Sequence, residues 1–220
     1  MQKFRTYYDL SQPVYSNCPA WPTYNPTSVV YEATYENDGY TAERITFNSH
    51  TGTHMDAPFH FQPNGTTIDN IPVERFQGNA VLVDLRKVIN AKEGINNSHL
   101  ERYEERIQAG DIILLNTGWG KKRGFGEDYI RDWPYLAKEG ARWLREKNIK
   151  GVGIDCVSLG GWYEGTGRPC HEELLNAEIW ILEELNIPEE LMNYEYCYLM
   201  AFPIKLQGFS GAPARAVAAI

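Results

Sequence analysis

The sequence predicts an α/β fold: a single domain, residues 1–220, in which a mixed β-sheet or barrel-like β core is packed with helices. Three observations carry this. Short runs rich in β-branched residues, bounded by Gly, Asp or Asn, alternate with stretches that carry helix signals. The first fifty residues are instead rich in Tyr, Thr, Val and Pro and alternate in the manner of strands. The chain of 220 residues has the length of one ordinary domain and contains no internal repeat, low-complexity tract or linker.

Taken in order, alternation around 29–35 and 43–47 predicts strands in the N-terminal portion. Residues 81–85 (VLVDL), 112–115 (IILL) and 152–154 (VGI) read as short buried strands. Between them, Ser98-His99-Leu100-Glu101 has the capping-box pattern, in which the Ser98 hydroxyl takes an orphan amide and Glu101 reaches back. The helix it starts is expected to end near Gly110. Asp132 is expected to cap a second helix, with Leu136, Trp143 and Leu144 on its apolar stripe and Lys147 near its end. Strands alternating with helices give an α/β core.

Composition excludes several function classes. With 21 basic and 29 acidic residues the net charge is -8, and no Lys/Arg block offers a track for nucleic-acid phosphates. No stretch of ~20 apolar residues is present, and the opening MQKFRTYYDLSQPV lacks a signal-peptide apolar region, so no membrane association and a cytoplasmic location are expected. A domain of this size buries about 70% of its unfolded surface and needs neither disulfides nor a structural metal to fold. Cys18, Cys156, Cys170 and Cys197 show no CxxC spacing, which argues against a disulfide framework and a thiolate zinc site. Each reads as a small buried hydrophobe, with Cys170 beside His171.

The informative feature is the placement of five histidines. Three fall in residues 50–60, HTGTHMDAPFH, with Asp56 among them. Imidazole and carboxylate are the usual ligands of zinc and other catalytic divalent metals. A helix would bring His50 and His54 to one face, but Pro58, Thr51 and Thr53 oppose it, and Asp56 would lie ~200° around from His54. One straight strand would hold His50 and His54 ~13 Å apart, too far for one ion. A bend at Gly52 resolves the conflict, so a kinked strand or loop is predicted. Pro58 holds Ala57 extended and helps direct His60, which is either a ligand or a proton-transfer group.

This segment resembles the cyclase-like metal-dependent hydrolases, a family that includes bacterial kynurenine formamidase and isatin hydrolase. It matches every position of their HxGTHxDxPxH signature. Weaker likenesses are Pro19-Ala20-Trp21-Pro22, Gly153-Ile154-Asp155, His171 with Ile181-Leu182-Glu183, and the stretch from Pro203 through Gly208 to Ala216. The resemblance implies a swivelling β/β/α fold. It implies that His50, His54 and Asp56 bind a first metal, that Asp56, His171 and Glu183 complete a second site, that His60 moves the proton, and that Trp21 lines the substrate pocket. It also implies Zn²⁺, as one or two ions, with Mn²⁺ as the alternative, and a homodimer or homotetramer. The chain departs from many relatives at Cys156-Val157-Ser158-Leu159, near the expected site.

His171 and Glu183 make a structural demand. In one helix they would be ~18 Å apart. For both to reach one site the chain must turn near 176–178, and residues 179–182 must return as a strand. The alternative reading is one amphipathic surface helix with Glu183 solvated, and Glu184 is the neighbouring carboxylate that could be mistaken for the ligand. His99 reads as a surface residue without a catalytic role. The expected activity is metal-assisted hydrolysis of a small, aromatic amide, with N-formylkynurenine, a tryptophan catabolite, as the favoured substrate. Trp162, Tyr163 and Phe61 are candidates for packing against it. A cyclic amide such as isatin is the second expectation, and a non-catalytic metal-stabilised binding protein the third. A serine esterase fits poorly, because Gly208-Phe209-Ser210-Gly211 lacks the G-x-S-x-G spacing.

Overall fold

The structure is a computed structural model, and it describes residues 4–220. Its strands, in chain order, are β1 (Tyr7–Asp9), β2 (Ser28–Ala33), β3 (Ala42–Thr46), β4 (His54–Asp56), β5 (Gln77–Asp84), β6 (Gly94–Ile95), β7 (Ile112–Asn116), β8 (Tyr135–Leu136), β9 (Gly151–Ile154), β10 (Trp180–Glu183), β11 (Tyr196–Pro203) and β12 (Gly211–Ala219). The α-helices are α1 (Tyr35–Asp38), α2 (Asn97–Leu100), α3 (Glu127–Arg131), α4 (Lys138–Glu146) and α5 (Arg168–Leu175).

The expected mixed core is present and it closes. The main sheet runs β1-β12-β11-β5-β7-β9-β10-β4, and β4 also pairs with β12, which makes a seven-stranded barrel with β1 added outside. Strands β5, β7, β9 and β10 are parallel, as the strand–helix alternation requires; β4, β11 and β12 join antiparallel. The β-rich N-terminal portion contributes β1 to this sheet and forms a separate hairpin, β2–β3.

Side chains sort by the two-residue period of each strand. Ala80, Leu82, Ile112, Leu114, Trp180, Leu182 and Met55 fill the barrel. Val81, Val83, Ile113, Leu115, Val152, Ile154 and Ile181 face outward, where Trp143 and Leu144 of α4 and Leu174 and Leu175 of α5 cover them. Since Met55 and Leu182 point inward, their neighbours His54, Asp56 and Glu183 project toward the helix-covered side.

Two helix expectations are corrected. Ser98 is not the cap: Asn96 is, its Oδ1 accepting from the Ser98 amide at 3.0 Å while His99 Nδ1, not Glu101, accepts from the Asn96 amide at 3.2 Å. His99 is therefore a half-buried structural group rather than a free surface one, still remote from the cluster chemistry. The helical stretch tightens to a 3₁₀ segment and stops at Arg106, short of Gly110. Asp132 closes α3 rather than opening α4, and its carboxylate accepts from the Tyr163 hydroxyl at 2.6 Å. Helix α4 begins after Ala137 without a side-chain cap, and Leu136 belongs to β8.

Trp180 is fully buried inside the barrel opposite Gly151, where a Cβ would lie 2.3 Å from its ring. Gly151→Ala is therefore expected to lose roughly 1–3 kcal/mol of stability through overpacking. Urea unfolding should show this loss, and the added change Trp180→Leu should make the double variant's loss smaller than the sum of the two single losses.

Candidate metal centre

The segment 50–60 adopts the bend its spacing demands. Gly52 takes φ +64°, a left-handed conformation that glycine adopts without steric cost. His50 precedes the bend, His54–Asp56 is strand β4, and Pro58–His60 is one 3₁₀ turn that brings His60 back over His50. The two rings stack with centroids 4.0 Å apart.

The second segment also behaves as required. Helix α5 ends at Leu175, the chain reverses through Glu178 at φ +58°, and β10 returns as a buried strand. Pairing of β10 with β4 sets Glu183 opposite His54. The one-helix alternative is thereby excluded. Glu184 is not the cluster carboxylate: it takes φ +57°, and its Oε1 accepts from Arg123 Nε at 2.7 Å and from the Tyr129 hydroxyl at 3.3 Å.

All five expected ligands and His60 meet in one place, and every one except half-buried His60 is buried. Asp56 is the hub. Its Oδ1 lies 2.7 Å from His50 Nδ1 and 3.6 Å from His54 Nε2, and its Oδ2 lies 3.7 Å from His171 Nε2. Glu183 lies 3.3 Å from His54 Nε2 through Oε2 and 3.2 Å from His171 Nε2 through Oε1. Ligand atoms of His50, Asp56 and His60 fall within 4.8 Å of one another, as do those of His54, Asp56 and Glu183.

Backbone carbonyls orient two of the imidazoles. His54 Nδ1 is 2.7 Å from the Gly52 carbonyl and His171 Nδ1 is 2.8 Å from that of Gly167. A carbonyl only accepts, so each Nδ1 carries a proton and each ring is turned with Nε2 toward the cluster, where it offers a lone pair once that nitrogen gives up its own proton. His50 Nε2 is tied to the Ser210 hydroxyl at 2.9 Å. Glu183 Oε1 accepts from the Ser158 hydroxyl at 2.9 Å and the Leu159 amide at 2.5 Å.

The electrostatics follow from two carboxylates buried among imidazoles. Burial opposes ionisation of Glu183, but the close nitrogens of His171 and His54 outweigh it and hold the carboxyl well below its usual range. Burial and Glu183 raise Asp56, while His50 and His60 pull it down to a net lowering. Burial lowers His54, yet Glu183 and Asp56 bring it up to about 9. His60 is pushed down to about 4, first by burial; Asp56 opposes this, and the crowding imidazoles of His50 and His171 add to it.

A divalent cation fits this donor set. His54 Nε2 and Asp56 Oδ2 are buried without a hydrogen-bond partner among the described residues, although both point at the cluster. Unpartnered buried lone pairs are costly, and a cation between them removes the cost. The donors are imidazole and carboxylate only, the set that suits zinc, and two carboxylates leave room for a second ion.

The cluster opens into a cavity of about 230 Å³ whose other walls include Trp21, Tyr24, Phe61, Val157, Ser158 and Arg168. Trp21 is on the cavity wall, packed on Trp162 and Trp133 at 5.1 and 5.8 Å. Phe61 stacks on His171 at 4.7 Å. Trp162 supports Trp21 from behind, and Tyr163 is outside the cavity. Sequence reasoning missed Tyr24, Arg168, Ser158 and Ser210. Ser158 and Ser210 lay in stretches already marked, Ser158 where the chain departs from many relatives and Ser210 within the C-terminal likeness.

Fold and cluster together define an α/β barrel protein with a buried His/carboxylate cluster that could hold a metal ion. The family described as "Putative cyclase" matches residues 8–160, and the chain belongs to it. Kynurenine formamidase of Bacillus mycoides is 31% identical over 95% of both chains. Isatin hydrolase A from Labrenzia aggregata, solved with benzyl benzoate, superposes with a TM-score of 0.87 at 26% identity, over 98% of this chain and 93% of that one. A potential metal-dependent hydrolase with cyclase activity superposes with a TM-score of 0.80 at 30% identity, over 97% and 96%.

Gly211 shapes the site by lacking a side chain: a Cβ there would lie 2.5 Å from the Met55 carbonyl and 2.7 Å from His50 Cε1. Gly211→Ala is expected to displace His50 and weaken zinc binding by about 10-fold or more, as loss of a ligand's support does. A competitive chelator titration measures this.

Proposed function

We propose that this chain is one metal-dependent hydrolase domain that cleaves the amide C–N bond of an arylformamide, with N-formylkynurenine giving formate and kynurenine. The observation that carries the reading is the buried His/carboxylate cluster at the base of an aromatic-walled cavity. Similarity to a kynurenine formamidase along 95% of the chain supports the substrate.

Zn²⁺, as one or two ions with Mn²⁺ as the alternative, would be held by His50, His54, Asp56, His171 and Glu183. A bound ion supplies Lewis acidity toward the carbonyl and lowers the pKa of water to about 7. Asp56 and Glu183, ionised between imidazoles, bind and orient. His60 is the residue near the cluster with no hydrogen bond fixing its ring nitrogens among the described residues, so it is available to accept the proton of the attacking water. It then delivers that proton to the departing nitrogen as the carbon–oxygen bond replaces the carbon–nitrogen bond. Trp21, with Phe61 packed against the imidazoles of His171 and His60, provides flat apolar surface for an aromatic ring.

Cyclic-amide hydrolysis of the isatin type is the second reading, and the TM-score of 0.87 to an isatin hydrolase favours it. A non-catalytic role has no such support. A homodimer or homotetramer suits the hairpin β2–β3, which exposes Val30, Tyr31 and Ile45 on one projecting element. The four cysteines are free, which suits the reducing cytoplasm.

His60→Ala is expected to lower kcat by about 10²–10⁴-fold while metal content, measured by plasma emission, stays near that of the wild type. Loss of the metal would make His60 a ligand instead. Asp56→Ala is expected to lose both metal and activity. A panel of formamides and lactams tests the substrate, and full activity after exhaustive chelation would refute metal catalysis.

A further inference from the structure

We infer that Arg168 is the specificity residue that takes an anionic group, a carboxylate, on the substrate tail. The inference rests on the arylformamidase reading and names what distinguishes its substrate from a neutral amide.

Apart from the cluster imidazoles, Arg168 is the only cationic side chain among the described residues on the cavity wall. The remaining walls are apolar or neutral: Trp21, Tyr24, Phe61, Val157, Ser158 and Gly167. Two buried carboxylates lie beneath, and the chain carries a net charge of -8. An anionic substrate therefore needs a local cation remote from the reacting carbonyl, and the wall offers this one.

Arg168, an exposed side chain at the cavity rim, is paired without being used up. Its Nε donates to Glu172 Oε1 at 2.6 Å, one turn along α5. Its two terminal nitrogens have no protein acceptor among the described residues. The guanidinium lies 5.9 Å from the Phe61 ring centre, and that ring stacks on His171 at 4.7 Å. The guanidinium carbon is thus no more than about 10.6 Å from the His171 ring centre. In N-formylkynurenine the carboxylate carbon is seven bonds from the formyl carbon, roughly 8–9 Å when extended, judging from 3.8 Å per three backbone bonds. With a formyl group at the cluster, a carboxylate at that reach can meet the free guanidinium edge, whose paired donors match it. Isatin has no such carboxylate.

The test compares the metal-loaded wild type with Arg168→Gln and Arg168→Lys on two formamides: N-formyl-L-kynurenine, and 2-formamidoacetophenone, which keeps the aryl ketone and lacks the amino-acid tail. Arg168→Gln is expected to lower the preference for formylkynurenine, as the ratio of the two kcat/KM values, by 10-fold or more and mainly through KM. Arg168→Lys should keep part of the preference. Arg131→Gln, at the neighbouring cation over Trp162 that does not line the cavity, should leave the ratio as it was. In parallel, calorimetric titration with L-kynurenine should show binding at least 10-fold weaker in Arg168→Gln, with a smaller change for 2-aminoacetophenone. Equal proportional effects on both compounds, in turnover and in binding, overturn the inference. If the wild type hydrolyses neither formamide, the hydrolase reading fails, while the binding comparison still decides the role of Arg168.

Discussion

The structure depends on one constraint: the three-residue strand His54–Asp56 must pair on both sides at once. Its hydrogen bonds to β10 and β12 close the barrel. The same strand carries two members of the cluster. Closure is what sets His54 opposite Glu183 and brings Gly211 against His50. Met55, between the two ligands, anchors the strand in the barrel interior. A side-chain period of two then forces His54 and Asp56 to the other side, beneath α5, where His171 is waiting. Fold and site are consequences of one pairing.

The cluster would be unfavourable in a structure that needed it only for stability. Two carboxylates are buried among imidazoles, and two polar atoms of the cluster, His54 Nε2 and Asp56 Oδ2, have no hydrogen-bond partner among the described residues. Replacing such groups by well-packed apolar residues is often neutral or stabilising. A chain of this length, with extensive apolar packing on both faces of the barrel wall, has no need of a metal to fold. The expensive arrangement therefore belongs to chemistry. The support beneath it has the same character: Glu184, next to Glu183, is locked to Arg123 by a buried ion pair, and the Thr53 hydroxyl, next to His54, donates to the Glu184 carbonyl at 2.6 Å. Each of these strands is thus fixed one residue away from its cluster side chain.

Much of the site was legible because its residues are local and chemically distinctive. Residues 50–60 could be argued to bend at Gly52 from distances alone, and Glu178 turns the chain within the interval that the His171–Glu183 separation demanded. Barrel closure was not legible as such, because β4 pairs with strands more than a hundred residues away and its three residues carry no strand signature of their own. The groups that orient the imidazoles were equally hidden. The carbonyls of Gly52 and Gly167 are backbone atoms, and the hydroxyls of Ser158 and Ser210 belong to a residue type found throughout the chain. Helix ends were misread where a nearby polar residue won: Asn96 two positions before Ser98, and Tyr163 claiming Asp132.

The central claim is that Asp56 is the shared ligand of a nitrogen- and oxygen-coordinated cation site at the point of barrel closure. Anomalous diffraction at the zinc edge, from crystals grown with zinc, tests it most directly. The account predicts a peak at roughly 2.0–2.2 Å from an Asp56 carboxylate oxygen, among the Nε2 atoms of His54 and His171 or beside His50. A metal found only on surface carboxylates or on the Cys170 sulfur, with Asp56 not coordinating, would contradict it.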